Sequence, residues 1–353
     1  VIILKTVGVK YLGSKRKLLP SIIKATSDLI VSNKTIIDVF TGTTRVAQAY
    51  KMLGYKVTTS DLAWASQVYS EAIICNDGYV DHLLPIVEEL NQITPTSGWI
   101  TENYCDVSPK ADETFNIKVW SKENGAKADA ARDYIETLNL EPWEKSYLVS
   151  VVIFGLDKVD NTVGIQQAYL KNWCIRSKKP IVFKPITPIK GRVGSHITGD
   201  ALSIEYEESE IAYIDPPYSP AKYYSHYHIW DSIARWDKPE VSLKTNRRID
   251  RKARSESFDK SMLSPWYSKS TALKATENLI DRLPVRYCVL SYSSEGLVPY
   301  DDITKLCSKF SYKEVEVQHS KNIMHRIGSG HEKVCPDAST ELTEYIFIID
   351  KKW

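Results

Sequence analysis

The pattern of apolar and polar positions predicts a strand, a helix and a second strand near the amino terminus. The segment "NKTIIDVF" is typical of a buried strand, and "YKVTTSD" of a second one. Between them, "TRVAQAYKMLG" places four apolar residues on one helical face and ends at Gly54. A strand, a helix and a strand within about 25 residues form a βαβ unit, whose strands are parallel and whose crossover is right-handed. The sequence therefore predicts an α/β fold with a doubly wound, Rossmann-like sheet.

A mainly helical pattern interrupts the predicted sheet from Leu62 to about His196. Four helices are predicted there, at Gln67–Asn76, Val80–Asn91, Ala128–Leu138 and Trp143–Gly155. Strand patterns resume in "EIAYIDPPY", "VRYCVLSY", "SYKEVEVQH" and "TEYIFIID", and no long helical pattern separates the last two. We therefore predict one domain with a mixed sheet from residues 1–63 and 197–353, and a mostly helical insertion at residues 64–196.

Charge is balanced overall but unevenly distributed. The chain has 46 Lys and Arg against 44 Asp and Glu, so its net charge is only +2. Residues 161–199 contain seven basic and no acidic side chains, and residues 235–254 contain eight basic and three acidic ones. Such stretches are either solvated surface or contacts to a polyanion. In the first stretch, four side chains are able to read adenine or guanine edges: Gln166, Gln167, Asn172 and Arg176.

Cysteine and histidine positions give no sign of a metal site. The six cysteines are scattered without a CxxC or Cys/His pairing, which favours a reducing cytoplasm over a disulfide framework or structural zinc. His226 and His228 lie two apart in a predicted helix and would face opposite ways, so we predict no metal. No stretch approaches the ~20 apolar residues of a membrane span. Four residues at helical spacing are predicted core: Tyr223, Tyr227, Trp230 and Ile233.

Carboxylates follow the first two predicted strands. In "DVFTGTTRVA", Asp38 stands at a strand end and Gly42 lies in the turn before a helix, as in sheets that receive nucleotides at their carboxyl edge. Asp61 ends the next strand, where an acidic side chain accepts hydrogen bonds from ribose hydroxyls. The three-glycine dinucleotide fingerprint is missing, which argues against a dehydrogenase. The alternative is that both carboxylates only cap helices; as a pair around Gly42 they favour a nucleotide site.

Three further loops carry chemically suggestive residues. "KYLGSKRKL" joins an aromatic ring, a glycine turn and four basic side chains, and "HITGDALSI" places Asp200 after a glycine, as in an ordinary turn. In "YIDPPYSP", a carboxylate, Asp215, ends a buried strand and two prolines follow. Proline lacks a backbone donor and fixes its own φ, so this loop holds Asp215 and Tyr218 in a stiff relation.

The ordered set "KYLGSK", "DVFTGT", "TTSDL", "TGDAL" and "DPPY" resembles the alpha group of adenine-specific DNA methyltransferases, the Dam-like family that uses S-adenosyl-L-methionine. The resemblance covers residues 10–63 and 199–230, and more weakly residues 285–297. It implies that the sheet domain is catalytic and that the insertion at 64–196 recognises the DNA target. Thr44 departs from the pattern, because family members usually carry a glycine there.

The resemblance implies a cofactor site of eight residues: Tyr11, Lys15, Asp38, Phe40, Gly42, Thr43, Asp61 and Asp200. Tyr11 and Lys15 would close over the methionine end of the cofactor. Asp38 and the backbone of residues 40–43 would hold the methionine moiety. Asp61 would bind the ribose, and Asp200 the adenine amino group.

The target site implied by the resemblance consists of Asp215, Pro216 and Tyr218. An exocyclic adenine amine is a poor nucleophile because its lone pair is delocalised into the ring. The Asp215 carboxylate and the Pro216 carbonyl are two acceptors that favour a pyramidal, reactive nitrogen. The amine is unreachable inside a duplex, so the base must leave the stack, and an aromatic face such as Tyr218 offsets part of that cost.

Double-stranded DNA is the predicted partner, in a bacterial or phage system that is either stand-alone or of the restriction–modification type, where a cognate endonuclease would act separately. Seven basic residues are predicted DNA contacts: Lys171, Arg176, Lys178, Lys179, Arg247, Arg248 and Arg251. The alternatives are methylation of an adenine amine in RNA or a cytosine amine in DNA, or a DNA-binding homologue without activity.

Overall fold

A computed structural model describes residues 4–106, 118–166, 169–217, 222–242, 245–252, 256–320 and 341–351. Within these residues seven strands form one sheet in the order β3-β2-β1-β4-β5-β7-β6. The strands are Thr35–Val39 (β1), Lys56–Asp61 (β2), Ser195–Thr198 (β3), Ser209–Ile214 (β4), Val285–Ser293 (β5), Ser311–Ser320 (β6) and Glu341–Asp350 (β7).

Five strands of the sheet are parallel and β7 runs against them. β1 lies between β2 and β4, β3 extends the sheet beyond β2, and β5 extends it beyond β4, all in parallel. β7 pairs antiparallel with both β5 and β6. The predicted doubly wound, mixed sheet is therefore confirmed. The strand β3 was not predicted from sequence: it has four residues at the sheet edge and lacks an apolar run.

Eleven α-helices occur within the described residues. They are Leu19–Thr26 (α1), Arg45–Met52 (α2), Trp64–Ile73 (α3), Leu84–Gln92 (α4), Trp99–Tyr104 (α5), Lys122–Thr137 (α6), Pro142–Val159 (α7), Tyr223–His226 (α8), His228–Arg235 (α9), Lys269–Arg282 (α10) and Tyr300–Cys307 (α11). Short 3-10 helices cover Lys15–Lys17, Asp81–Leu83, Ile175–Lys178, Ile249–Arg251, Lys260–Met262 and Pro265–Tyr267. All four helices predicted between residues 67 and 155 are present, with shifted ends. α7 begins with Pro142 and a capping box between Glu141 and Glu144.

The sheet has a hydrophobic core on each face. Ile36 and Ile37 are consecutive residues of β1, and they belong to different cores because neighbouring side chains in a strand point to opposite faces. One core contains residues of α1 to α7 and α9, and the other contains residues of α10 and α11. The helices from residues 122–159 share their core with β2, through Leu148 and Val57 among others. Assignment of residues 64–196 to target recognition stays a prediction.

None of the described helices is both long enough and apolar enough to cross a lipid bilayer.

Candidate active site

A cleft opens at the carboxyl ends of β1, β2 and β4. The chain leaves β1 toward β2 on one side, and β4 lies on the other, so this edge is the switch point where doubly wound sheets bind ligands. The cleft has an empty volume of about 1150 Å³, open solvent included. Seven of the predicted site residues line it: Tyr11, Phe40, Gly42, Asp61, Asp200, Asp215 and Pro216. Lys15, Asp38 and Thr43 are buried and do not belong to this lining.

The loop after β1 contains three residues with left-handed backbone: Phe40, Gly42 and Thr44, with φ of 61°, 50° and 58°. A Cβ atom on Gly42 would lie 3.2 Å from Cε1 of Tyr11, so the aromatic ring rests directly on this turn. Thr44 adopts a conformation that a β-branched residue rarely takes. Its hydroxyl accepts a hydrogen bond from Nε2 of Gln48 at 2.9 Å, which offsets part of the strain.

Asp38 and Asp61 hold the backbone of this loop. Asp38 accepts from the Thr41 hydroxyl at 2.7 Å and from the Ala47 amide at 3.1 Å, which caps the first turn of α2. Asp61 accepts from the Gly42 amide at 2.8 Å and from the Ala63 amide at 2.9 Å. Burial raises the pKa of Asp38 to about 7 and also raises the pKa of Asp61. Asp38 therefore acts as a helix cap, which was the alternative to a nucleotide site. Asp61 also accepts backbone hydrogen bonds, but it borders the cleft as well.

The N-terminal segment is fixed over the cleft by side chains of α2 and α7. Gln48 donates to the Val7 carbonyl and accepts from the Val7 amide, both at 2.8 Å. Lys10 forms ion pairs with Asp157 at 3.0 Å and Asp160 at 3.1 Å. These anchors bring the Tyr11 ring against Tyr227, with centroids 4.3 Å apart, and burial raises the pKa of Tyr11.

Lys15 lies between two carboxylates. Its Nζ atom is 2.9 Å from Oδ1 of Asp215 and 2.9 Å from Oε1 of Glu344. Burial raises the pKa of Asp215 to about 7, Lys15 opposes that rise, and Glu344 adds to it. The resemblance assigned Lys15 to the cofactor; its contacts connect it to the target site, and contact with a cofactor stays a prediction. Sequence analysis missed Glu344.

The charge of the cleft lining is acidic. Four carboxylates line it, from Asp61, Asp200, Asp215 and Asp231, and the described lining contains no Lys or Arg. Aromatic rings form much of the remaining wall, including Phe40 and Trp266, whose centroids are 4.9 Å apart. Such a lining attracts a cationic ligand and disfavours a pyrophosphate. It therefore counts against a dinucleotide and favours a ligand that carries positive charge.

Asp231 lines the cleft and was not predicted from the sequence. It is buried on α9, and its carboxylate accepts from the Ala65 amide at 3.0 Å, in the first turn of α3. Burial raises the pKa of Asp231 to about 6. Of the four predicted core residues around it, Tyr227, Trp230 and Ile233 are buried as predicted, whereas Tyr223 is half-buried and lines the cleft. The signal in the sequence was that Asp231 directly follows Trp230, a residue predicted to lie in the core.

The basic stretch 235–254 is largely built into the protein. Arg248 and Arg251 are 2% and 1% exposed, respectively. Arg248 pairs with Asp237 at 2.8 Å and with Asp250 at 2.7 Å, and Arg251 pairs with Asp259 at 3.2 Å. Both guanidinium groups also lie over the Trp64 ring. Burial and ion pairing thus favour a structural role for Arg248 and Arg251, and their contact with phosphate stays a prediction. Arg247 is half-buried, and its role stays a prediction.

The stretch 161–199 also contains both buried, hydrogen-bonded side chains and exposed ones. Gln166 is buried, and its Oε1 accepts from the Ile229 and Trp230 amides at 3.0 and 3.3 Å, so it caps α9 instead of reading a base. Arg176 donates to Asp160, although its side chain is 39% exposed. Lys171, Lys178 and Lys179 are exposed and stay predicted DNA contacts. Gln167 lies outside the described residues.

Three further residues considered in the sequence are Tyr218, His226 and His228. Tyr218 lies outside the described residues, so its stacking role stays a prediction. His226 ends α8 and His228 begins α9, and burial lowers the pKa of His228 to about 3. Within the described ranges, no group of three or more His, Cys, Asp and Glu side chains could hold a metal ion.

The sheet order, the reversed β7 and the acidic cleft at the switch point define an α/β methyltransferase fold. Comparison with known families gives one match: the model of the D12 class N6 adenine-specific DNA methyltransferases matches residues 11–296 of the chain. The chain belongs to this family, which confirms the resemblance to adenine-specific DNA methyltransferases seen in the sequence motifs.

Several characterised relatives are restriction–modification methylases. Modification methylase LlaI of Lactococcus lactis subsp. lactis is 30% identical over 331 residues, 86% of this chain and 49% of the relative. Type II methyltransferase M.NlaIII of Neisseria lactamica is 28% identical over 344 residues, 91% and 97% of the two chains. Type II methyltransferase M.FokI of Planomicrobium okeanokoites is 26% identical over 364 residues, 97% of this chain and 52% of the relative. The chain thus spans about half of LlaI and M.FokI, and nearly all of M.NlaIII.

Proposed function

We propose that this protein transfers a methyl group from S-adenosyl-L-methionine to the exocyclic N6 amine of adenine in duplex DNA. One observation carries the proposal: the Asp215 carboxylate stands at the end of β4, on an acidic and aromatic cleft without described Lys or Arg in its lining. Family membership supports the reaction type. The acidic lining would stabilise the positive charge of a cationic methyl donor, and Asp215 would provide an acceptor for the target amine.

The reaction at the amine depends on position more than on acid–base strength. The Asp215 carboxylate and the Pro216 carbonyl would accept the two hydrogens of the amine and turn its lone pair toward the methyl donor. Pro216 and Pro217 have no amide hydrogen, so this loop presents acceptors without competing backbone donors. Asp215 must be ionised to accept in this way, which its raised pKa limits at acidic pH. The ring of Tyr218 would stack on the flipped base.

The cofactor site would use the side chains that hold the loop after β1. S-adenosyl-L-methionine supplies a methyl group bound to a sulfonium sulfur. Asp61 and Asp200 border the cleft and would bind its ribose and adenine amine, while the Tyr11 ring covers Gly42, whose amide donates to Asp61. Asp38 would act through the backbone that it holds. We place Lys15 at the target site in this proposal, because both of its ion pairs lie there.

The DNA would be held by basic side chains at the protein surface. Lys171, Lys178 and Lys179 would bind phosphates, and Arg247 is a fourth candidate beside Tyr224. The names of the relatives, a modification methylase and a type II methyltransferase, support a role in a restriction–modification system. A separately acting endonuclease and a cytoplasmic location belong to the proposal alone.

The test is methyl incorporation from labelled S-adenosyl-L-methionine into defined polymers. We expect label in genomic duplex DNA and none in RNA, followed by base-resolved mapping that places the methyl group on adenine N6 within one short sequence. Label in RNA or on cytosine would support the alternative amino-methylating enzymes. DNA binding without label, under conditions where a related methylase is active, would support an inactive homologue.

A further inference from the structure

A buried ammonium group connects the target loop to a strand that the family motifs do not include. Lys15 is 5% exposed, and its two carboxylate partners are Asp215, at 16%, and Glu344, at 2%. Glu344 also accepts a hydrogen bond from the Ser291 hydroxyl at 2.6 Å. Because β7 runs antiparallel to β5, its beginning lies at the sheet edge where β4 and β5 end. That reversal brings Glu344 behind Asp215.

The position of Lys15 creates a difficulty for the reaction. An adenine amine needs the Asp215 carboxylate as acceptor, and the Lys15 ammonium forms an ion pair with its Oδ1 atom, so the two donors compete for the negative charge of one carboxylate. Moving Lys15 away in a protein interior would leave an unpaired ammonium, which costs far more than a displaced neutral donor. Glu344 removes that difficulty, because its carboxylate keeps the ammonium paired when Asp215 turns to the amine.

We propose that Glu344 is a positioning residue for methyl transfer, which retains the Lys15 ammonium while the target amine replaces Lys15 on the Asp215 carboxylate. The proposal rests on the proposed function and adds Glu344 to it. Neither Lys15 nor Glu344 changes its covalent state: the exchange consists of hydrogen bonds only. Glu344 acts through Lys15 and is not itself in contact with the reacting atoms.

The charges around Asp215 set the direction of its pH response. Lys15 faces it from the 3-10 helix, Glu344 from β7 and Asp38 from β1, and Tyr213 precedes it on β4. His319 of β6 lies 4.0 Å from Glu344. Lys15 lowers the pKa of Asp215 and Glu344 raises it. Because Asp215 acts ionised, the methyl-transfer rate rises with pH through this pKa and levels off above it.

Single-turnover rates across pH, measured in saturating S-adenosyl-L-methionine, test the proposal. In Glu344→Gln, we expect the acid limb of the profile to move to lower pH and the plateau rate to fall roughly 10-fold, because Lys15 stays on Asp215. In Lys15→Met, we expect the acid limb to move to higher pH. The double variant should bring the limb back toward the wild-type position, since one positive and one negative charge are removed together. Glu316→Gln, an exposed change on β6, is the matched control.

Several results would overturn the proposal. Shifts of the acid limb in the same direction for both single variants, or no shift, would contradict it, and a purely structural role predicts that outcome. Loss of cofactor binding in Lys15→Met, measured by calorimetry, would make Lys15 a cofactor residue. Carbon-13 NMR of the Asp215 carboxyl, assigned with Asp215→Asn, follows its titration without turnover. If the titration shifts as expected but wild type transfers no methyl group, the proposed function fails and the Lys15–Glu344 arrangement stands.

Discussion

Replacement of Arg248 by Met tests whether the basic stretch 235–254 is structural. The Arg248 guanidinium donates five hydrogen bonds, to Asp250, Asp237 and Ser232. Charge-assisted bonds are worth about 1.5–3 kcal/mol each when a partner is left unsatisfied. Asp237 and Asp250 are 25% and 28% exposed, so water will solvate both in the variant. We therefore expect a total loss of about 2–3 kcal/mol of unfolding free energy.

The expected change in melting temperature follows from the size of the protein. Unfolding entropy is about 2.1 cal/mol/K per residue, which gives roughly 0.7 kcal/mol/K for 353 residues. The Tm of Arg248→Met should therefore fall by about 3–4 °C. Its DNA affinity should keep the wild-type dependence on salt concentration.

The matched variant is Lys178→Met, which removes an exposed basic residue. Here Tm should stay at the wild-type value, while the log–log slope of DNA binding against salt should fall by about 0.9, the contribution of one phosphate. Calorimetric melting and fluorescence anisotropy at several salt concentrations measure both quantities. An Arg248→Met protein with wild-type Tm and a reduced slope would refute the structural assignment and restore the predicted phosphate contact.

Four further outcomes concern the site. Asp215→Asn should lower the single-turnover rate by about 100-fold or more with unchanged cofactor affinity, because one oxygen acceptor becomes a donor; weakened calorimetric cofactor binding at a normal rate would contradict this. Tyr218→Ala should lose roughly 1–3 kcal/mol of stacking, seen as less 2-aminopurine fluorescence at the target, and Tyr218→Phe should retain it. Gly42→Ala should weaken cofactor binding about tenfold by displacing Tyr11, whereas Gly54→Ala, also at positive φ but in open space, should change only stability. Activity should persist in excess chelator, and recovery with one divalent ion after a loss would show that a metal is required.

The fold was predictable where apolar runs are long and turn signals are sharp. β1 and β4 each contain a short apolar run, with Asp38 near the end of β1 and Asp215 directly after β4, so both their strand character and the position of Asp215 followed from the sequence. β3 was missed because a four-residue edge strand buries little apolar surface and carries no period. The ends of the helices shifted by several residues because capping and tertiary contacts determine them.

The site was predictable where motifs fix a residue in a loop, and less so where burial decides the role. Charge alone suggested DNA contacts for Arg248 and Arg251, although Asp237, Asp250 and Asp259 nearby in the sequence were available as partners. The burial of Glu344 could have been predicted from the sequence. Residues two apart in a strand lie on the same face, so Glu344 points inward together with Leu342 and Ile346. A lone inward glutamate in a strand requires a buried partner, and Lys15 provides it.

The long separation between neighbouring strands has a consequence for synthesis on the ribosome. β1 and β2 emerge early, but β4, the neighbour of β1 on its other side, follows β2 by about 150 residues. At synthesis rates of about 5–20 residues per second, the inner edge of β1 stays unpaired for roughly 8–30 s. An unpaired apolar edge is a template for pairing with another nascent chain. We therefore expect the rate and temperature of synthesis to limit the yield of active protein, which pulse-labelling at two growth temperatures would measure.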